Sequence, residues 1–160
     1  MSKVKDALKL MKDEEVAYVD IRFTDVKGKL QHVTLDVDLV DEDFFEEGFM
    51  FDGSSIAGWK AINESDMLLK PDLATAYIDP FYQATTMFLF CDVLNPDTGE
   101  PYNRDSRSMA KKALSYIQSS GVGDVVYFGP EAEFFIFDDV KFAADTYNVG
   151  FSVDHTELPI

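Results

Sequence analysis

Two short segments with alternating polar and apolar residues, separated by a tight turn, most constrain the fold of this chain. Residues 16–24 alternate in character, and residues 31–36 repeat the pattern. Residues 25–29, Asp-Val-Lys-Gly-Lys, have the composition of a turn. Because successive side chains of a strand point to opposite faces, this arrangement predicts a β-hairpin with one apolar face. The first strand would place three apolar side chains on that face: Val19, Ile21 and Phe23.

The remaining periodicity predicts a mixed α+β chain. Apolar residues at helical spacing indicate helices, nearly continuous apolar runs indicate strands, and Gly, Pro, Asn and Asp mark the breaks. The predicted elements are a helix over 2–13, a short acidic helix over 41–47, strands near 75–78 and 86–93, a helix from Asp105 to Gly121, and a strand pair from Val125. A change in composition near residues 95–105 separates the last of these elements from the others.

The net charge of −16 argues against several classes of partner. Nucleic acid and anionic membranes would both be repelled by such a surface. The sequence has no apolar run of about 18 residues and no secretory signal, so a soluble cytoplasmic protein is expected. The single cysteine, Cys91, cannot form an internal disulfide and is interpreted as a small buried hydrophobic residue. The many carboxylates provide material for a divalent metal site.

The segment MFDGSSIAGW, residues 50–59, combines the composition of a loop with large apolar side chains. Its glycines and serines favour a loop. It also carries four side chains that are costly to expose to water: Met50, Phe51, Ile56 and Trp59. The single acid of the segment, Asp52, has two interpretations. It is either part of a functional site or an ordinary Asx-turn residue whose side chain hydrogen-bonds its own backbone.

A second informative stretch is FGPEAEFFIFD, residues 128–138. On a strand, Glu131 and Glu133 share one face and lie about 7 Å apart. Two carboxylates beside phenylalanines repel each other unless a cation lies between them, and oxygen ligands suit Mg²⁺ or Mn²⁺. The alternative is a solvated strand end that binds nothing. His32 and His155 have no motif spacing to these glutamates and are interpreted as structural or surface residues.

Together these stretches resemble the signatures of bacterial type I glutamine synthetase. Phe51-Asp52-Gly53-Ser54-Ser55 followed by Glu64-Ser65-Asp66-Met67 is similar to the N-terminal signature of that family. Residues 128–135 look like its first metal-binding strand. The resemblance covers essentially all 160 residues, in order. It departs at Asp105-Ser106-Arg107, where the family often has proline in the middle position, although serine is also tolerated in the first turn of a helix.

The resemblance implies a fold and an assembly. The fold would be a β-grasp N-terminal domain followed by the first strands and helix of a glutamine-synthetase-type catalytic domain. We expect an N-terminal helix over 1–13, a β-grasp domain over 14–100 and an incomplete catalytic domain over 101–160. Family members form a homo-oligomer of two stacked hexameric rings, a dodecamer, with active sites between subunits. The apolar loop would then be buried against the next subunit, and Asp52 would project into that subunit's active site.

The resemblance also implies a reaction and the residues that take part. The family makes glutamine from glutamate, ammonium and ATP through γ-glutamyl phosphate. By position, Asp52 matches the aspartate that holds ammonium and takes its proton, and Ser55 matches a serine near the glutamate and ammonium pocket. Glu131 and Glu133 match metal ligands, one to each of two divalent ions, Mg²⁺ or Mn²⁺, that bind ATP phosphates. Trp59 matches a tryptophan near the subunit contact and is interpreted as a packing residue.

Family members continue well beyond this length. The further part holds the remaining metal ligands and the residues that bind glutamate, phosphate and nucleotide, so the chain by itself is expected to be inactive. Two alternatives stay open. One is a non-catalytic β-grasp module used for binding or assembly, and the other is a related ligase that joins glutamate to a different amine. Asp52, as a match to the ammonium-binding aspartate, favours ammonium over other amines.

Overall fold

Eight strands and three α-helices form within residues 3–157, the part of the chain that the computed structural model describes, apart from the side chain of Ile62. In chain order they are α1 (Lys3–Asp13), β1 (Tyr18–Thr24), β2 (Leu30–Asp36), α2 (Glu42–Glu47), β3 (Phe49–Asp52), β4 (Asp66–Pro71), β5 (Tyr77–Ile78), β6 (Thr86–Leu94), α3 (Ser106–Ser119), β7 (Asp139–Ala144) and β8 (Val149–Asp154). The chain divides into two units after Val125. The domain boundary expected between residues 100 and 101 stays a prediction.

The first unit is built on a six-stranded sheet with the order β2-β1-β6-β4-β3, in which β5 also pairs with β6. The predicted hairpin is confirmed, because β1 and β2 are antiparallel with Ile21 opposite Val33. Strand β1 runs parallel to β6, with Ile21 opposite Leu89, and the other pairs are antiparallel. This mixed sheet, crossed by helices, is the α+β architecture that the sequence predicts.

The core lies on the face of the sheet that α1 and α2 cover. The side chains of Ile21, Met67, Leu69 and Leu89 are fully buried there. Each contributes about 1.5–3 kcal/mol to folding through removal of apolar surface from water. Helix α1 adds three buried residues: Val4, Ala7 and Met11. The predicted helix over 2–13 is therefore confirmed for its described part, whereas Ser2 lies outside the described residues.

The helix signals in the sequence agree closely with the structure. The side chain of Asp41 caps α2, and the helix ends at Gly48, whose φ of 91° favours glycine. A Cβ on Gly48 would also lie 2.7 Å from the carbonyl oxygen of Leu69, so the close approach of β4 requires this residue. The side chain of Asp105 accepts a hydrogen bond from the backbone of Ser108 and caps α3, as predicted.

Strands β3 and β4 were not predicted from the sequence. Strand β3 is only four residues long and begins the segment whose glycines and serines favour a loop. The sequence around strand β4 shows no clear alternation of polar and apolar residues. In the structure, however, the residues of β4 alternate between buried and more exposed positions. Both strands form because β4 pairs with β6 in the middle of the sheet, which is a long-range effect that local propensity does not contain.

The second unit contains one hairpin, β7–β8, and its course corrects a prediction. The sequence predicts a strand pair from Val125 that includes Glu131 and Glu133, but residues 125–137 have no regular secondary structure, and pairing begins at Asp139 opposite Asp154. A strand requires a neighbour for its backbone N–H and C=O groups. Within residues 3–157 no strand pairs with residues 131–137, so their apolar alternation is not sufficient to form one.

Cys91 on β6 is predicted to be unreactive. Its side chain is 1% exposed, and burial raises the pKa of the thiol to about 12, with the neighbouring Asp92 as a smaller cause. Because the thiolate is the reactive form, a disulfide reagent at about pH 8 is expected to label almost none of the folded chain. In guanidinium chloride the same reagent should label one thiol per chain. Rapid labelling of the folded chain would contradict this burial.

Candidate active-site loop

The candidate site begins where β3 ends. Asp52 is the last residue of β3, and its Oδ1 accepts hydrogen bonds from the backbone nitrogen and the hydroxyl of Ser54, at 2.8 and 2.6 Å. This is the geometry of an Asx turn, so the local interpretation of Asp52 is correct as far as its backbone is concerned. The side chain is nevertheless exposed at the surface, where a ligand could reach it.

The hydrogen bonds at Asp52 also set its charge. The hydroxyl of Ser54 is the largest cause of a lowered pKa, followed by the backbone of Ser54, and the hydroxyl of Ser65 adds to the effect. All of these donors stabilise the ionised carboxylate. Asp52 carries a negative charge at neutral pH, as an exposed aspartate ordinarily does, and could hold a cation or accept a proton from one.

Ser55 lies in the same short turn. The turn is a 3₁₀ segment, Gly53–Ser55, and the side chain of Ser55 is exposed at its end. Gly53 at its start is buried, and a Cβ there would collide with the side chain of Met67. The loop thus approaches β4 closely because Gly53 has no side chain, and both Asp52 and Ser55 beside it are exposed.

Asp66 is an acidic neighbour of Asp52 that the sequence analysis did not single out. It is paired with Asp52 across β3 and β4, and the two strands are further joined by a 2.7 Å hydrogen bond from the nitrogen of Gly53 to the carbonyl of Ser65. Like charges directly opposite each other in a sheet are unfavourable, so a cation near this pair would be stabilising. The register of β3 on β4 creates this proximity, and nothing in the linear sequence signals it.

A polar groove of about 560 Å³ lies beside Asp66. Its lining residues are Lys60, Asn63, Glu64, Ser65, Asp66, Asn95, Pro96 and Asp97. The three acids outnumber the one lysine, which keeps this end of the sheet negative.

The apolar residues of the loop are placed differently from the prediction. They were expected to be buried against another subunit, but Ile56 and Trp59 are 8% and 5% exposed within this chain alone. The Trp59 ring packs on Phe23, at 5.4 Å between centroids, and on Phe51, at 6.2 Å. Strand alternation explains the difference, because it turns Phe51 towards the core and leaves Met50 half exposed on the other side. The interpretation of Trp59 as a packing residue is confirmed.

Glu131 and Glu133 belong to the second unit and are exposed on its irregular segment. Carboxylate oxygens suit Mg²⁺ or Mn²⁺, but two carboxylates supply only part of a coordination shell. Among the described residues no group of three or more His, Cys, Asp or Glu side chains is arranged to hold a metal ion. The residues present here therefore do not form a complete site for the divalent ions that the resemblance implies.

None of the helices within residues 3–157 has the length and apolar character needed to cross a bilayer.

The fold and the loop define a class of protein. Residues 15–96 match the family described as "Glutamine synthetase, beta-Grasp domain", and residues 103–157 match "Glutamine synthetase, catalytic domain". The chain belongs to the glutamine synthetase family.

Curated relatives support this assignment. The chain is 65% identical over 159 residues to a glutamine synthetase of Azorhizobium caulinodans, which covers 99% of this chain and 34% of that protein. It is 68% identical over 154 residues to a glutamine synthetase of Cereibacter sphaeroides, covering 96% and 33%. The chain therefore spans about a third of the length of the curated relatives it matches.

Solved structures agree on the fold. A Plasmodium falciparum glutamine synthetase superposes with a TM-score of 0.71 at 24% identity, covering 96% of this chain and 30% of that one. A structure titled "GmaS/ADP complex-Conformation 1" superposes with a TM-score of 0.64 at 20% identity, covering 72% and 26%. At these identities the likeness concerns the fold alone.

Proposed function

We propose that this chain is the N-terminal part of an ATP-dependent glutamate–ammonia ligase that makes glutamine through γ-glutamyl phosphate. The observation that carries the proposal is the 65% identity to a glutamine synthetase over 99% of this chain. The exposed, ionised Asp52 supports ammonium as the amine. Its negative charge would hold NH₄⁺, and its carboxylate would take the proton that must leave before nitrogen can act as the nucleophile.

The other site residues have supporting roles in this proposal. Ser55, exposed three residues after Asp52, would line the pocket shared by glutamate and ammonium. Glu131 and Glu133 would each supply one ligand to one of two divalent ions, Mg²⁺ or Mn²⁺, that neutralise the phosphates of ATP. The remaining ligands of those ions would come from the part of the relatives that this chain does not span.

The proposed assembly is a cytoplasmic dodecamer in which the β-grasp domain of one subunit closes the active site of the next. The position of Asp52 supports such an arrangement, because the residue lies on the surface at the end of β3 rather than inside the unit that carries it. A site completed by a neighbour requires a carboxylate presented outwards on a fixed support.

A chimera tests the proposed function. The matching 159 residues of this chain would replace their counterparts in the Azorhizobium caulinodans glutamine synthetase, and this chimeric enzyme would be assayed beside the 160-residue chain alone. We expect glutamine formation that depends on ATP, glutamate, ammonium and Mg²⁺ or Mn²⁺ from the chimera and none from the chain alone. Glutamine formation by the chain alone would contradict its proposed incompleteness. A folded, assembled but inactive chimera would favour a non-catalytic binding module.

A further inference from the structure

Residues 52–59 form a loop that is called the Asp52 loop here. It begins at Asp52 and ends at Trp59, and the Trp59 end is hydrogen-bonded by residues that follow β6 in the sequence. The hydroxyl of Tyr102 donates a 3.0 Å hydrogen bond to the carbonyl oxygen of Trp59, and both side chains are buried. The guanidinium of Arg104 donates to the carbonyl oxygens of Gly58 and Trp59. Two side chains from one short segment therefore hold the last two residues of the loop.

The Trp59 ring also contacts this segment. It meets the Tyr102 ring edge-on, with centroids 5.5 Å apart and an interplanar angle of 67°. Its indole nitrogen is buried and makes no hydrogen bond within residues 3–157. The ring is consequently held by packing and by the bonds on its own backbone carbonyl, and not by its N–H group.

Tyr102 and Arg104 lie on a rigid support. The backbone nitrogen of Tyr102 donates to the carbonyl of Val93 on β6 at 2.8 Å, and Pro101 forms a bridge with Leu94. The nitrogen of Asp105, which caps α3, donates to the carbonyl of Tyr102 at 3.1 Å. The segment is thus fixed between the central strand of the sheet and the start of a helix.

A series of backbone hydrogen bonds connects Trp59, at one end of the Asp52 loop, to Gly53, which follows Asp52 at the other end. The nitrogen of Trp59 donates to the carbonyl of Ile56 at 3.1 Å, and the nitrogen of Ile56 donates to the carbonyl of Gly53 at 3.2 Å. The nitrogen of Gly53 in turn donates to the carbonyl of Ser65 on the β4 side at 2.7 Å. Ser54, which binds the Asp52 carboxylate twice, lies in the chain between Gly53 and Ile56, two residues that this series joins.

We propose that Tyr102 and Arg104 are positioning residues for Asp52. Neither touches the carboxylate. They fix the Trp59 end of the Asp52 loop to β6, and the backbone series then keeps Ser54 in place to orient the Asp52 carboxylate. The effect of Tyr102 and Arg104 on catalysis rests on the proposed function of Asp52 in binding ammonium. Their effect on the position of the Asp52 loop does not rest on that function.

The coupling can be measured on the full 160-residue chain without any assay of glutamine formation. Tyr102→Phe removes one hydroxyl and retains the ring, whereas Tyr116→Phe removes a hydroxyl from a 72% exposed side chain of α3 and is the matched control. Three NMR readouts follow the loop: the single tryptophan indole resonance, amide exchange at Ile56 and Trp59, and the carboxyl titration of Asp52.

In Tyr102→Phe we expect the indole resonance to shift and the two loop amides to exchange about two- to ten-fold faster, the effect of one lost hydrogen bond. The pKa of Asp52 should rise towards its ordinary value because Ser54 is no longer held in place. Tyr116→Phe should change none of the three. If the indole shifts while the Asp52 pKa and Ile56 exchange stay unchanged, Tyr102 only packs and the proposal is overturned.

A second variant covers the case in which Tyr102→Phe does not fold. Arg104→Gln affects an exposed side chain that donates to the Trp59 carbonyl, as Tyr102 does, and also to the Gly58 carbonyl, and it should move the same three readouts in the same direction by a smaller amount. No movement in Arg104→Gln would also overturn the proposal. In an active chimera, Tyr102→Phe should raise the KM for ammonium and leave the KM for ATP unchanged, so failure of the coupling and failure of the proposed function are distinguishable.

Discussion

Replacing Asp52 by alanine in the chimeric enzyme is expected to reduce kcat/KM for ammonium by at least about 100-fold, the lower end of what a general base contributes. The KM values for glutamate and ATP should change little. The reason is the position of the charge. An aspartate is ordinarily ionised at neutral pH, the hydrogen bonds from Ser54 lower its pKa further, and the exposed carboxylate at the end of β3 is free to bind a cation. Steady-state kinetics with each substrate varied in turn would measure the effect.

Asp52→Asn separates charge from shape in the same assay. The amide oxygen can still accept the hydrogen bonds from Ser54, so the turn at the end of β3 should persist. The negative charge and the ability to take a proton are lost. We therefore expect the asparagine variant to lose nearly as much kcat/KM for ammonium as the alanine variant, with the loop intact by amide exchange.

Asp38→Ala is the matched control, because Asp38 is an exposed aspartate in another short 3₁₀ turn. It should leave all kinetic constants of the chimera unchanged. Equal losses for all three substrates in Asp52→Ala would instead indicate a structural role in the turn. Retention of ammonium-dependent activity by Asp52→Asn would contradict the proposed role as a proton acceptor.

The parts of the fold that could be predicted are those that local physics determines. The β1–β2 hairpin follows from strict alternation on both sides of a turn, and α2 and α3 follow from their capping aspartates and terminal glycines. Strand β4 depends on pairing with β6, which lies about twenty residues further along the chain, and β3 in turn pairs with β4. No local sequence pattern indicates these pairings. The same reason explains the error at residues 131–137, where a suitable pattern has no partner strand among the described residues.

The candidate site also has a part that the sequence predicts and a part that only the structure shows. The turn chemistry of Asp-Gly-Ser predicts the Asx turn at Asp52, and only the family resemblance points to Asp52 and Ser55 as site residues; both are exposed in the structure. The approach of Asp66 to Asp52 depends on strand register, and a shift of one residue would send it to the other face of the sheet. The burial of Trp59 within its own chain includes contacts with Phe23 and with Tyr102, which lies more than forty residues further along the sequence. Such contacts require the three-dimensional structure.

Asp20→Asn is expected to lower the free energy of unfolding of the first unit by about 2–3 kcal/mol at neutral pH. Asp20 is 1% exposed and accepts hydrogen bonds from Arg22 Nε at 2.6 Å, His32 Nδ1 at 2.7 Å and Thr34 Oγ1 at 2.8 Å. The cost is smaller than for a fully isolated charge, because Arg22 keeps a 2.7 Å bond to Asp79. Urea denaturation followed by the fluorescence of the single tryptophan, which lies in this unit, would measure it.

The contribution of Asp20 to the free energy of unfolding should decrease at acidic pH. Burial alone would raise the pKa of Asp20, but the hydrogen bonds from His32, Arg22 and Thr34 together outweigh burial and lower it below 3.8. The stabilisation is therefore fully present above the unfolded-state pKa and is lost as the pH falls through the lower folded pKa. The difference in unfolding free energy between the natural chain and Asp20→Asn should be present at neutral pH and shrink below about pH 4.

The exposed Asp38→Asn provides the comparison for Asp20→Asn, and its unfolding free energy should stay within about 0.5 kcal/mol of the natural chain at every pH. Groups that titrate alike in the natural chain and in a variant cancel in each difference. A cost at Asp20 that persists undiminished at acidic pH would show that shape, and not the ionised carboxylate, holds β1 to β2 at this point. If the loss of unfolding free energy in Asp20→Asn disappears when Asp20 is protonated, the buried negative charge and its three hydrogen-bond donors stabilise the contact between β1 and β2.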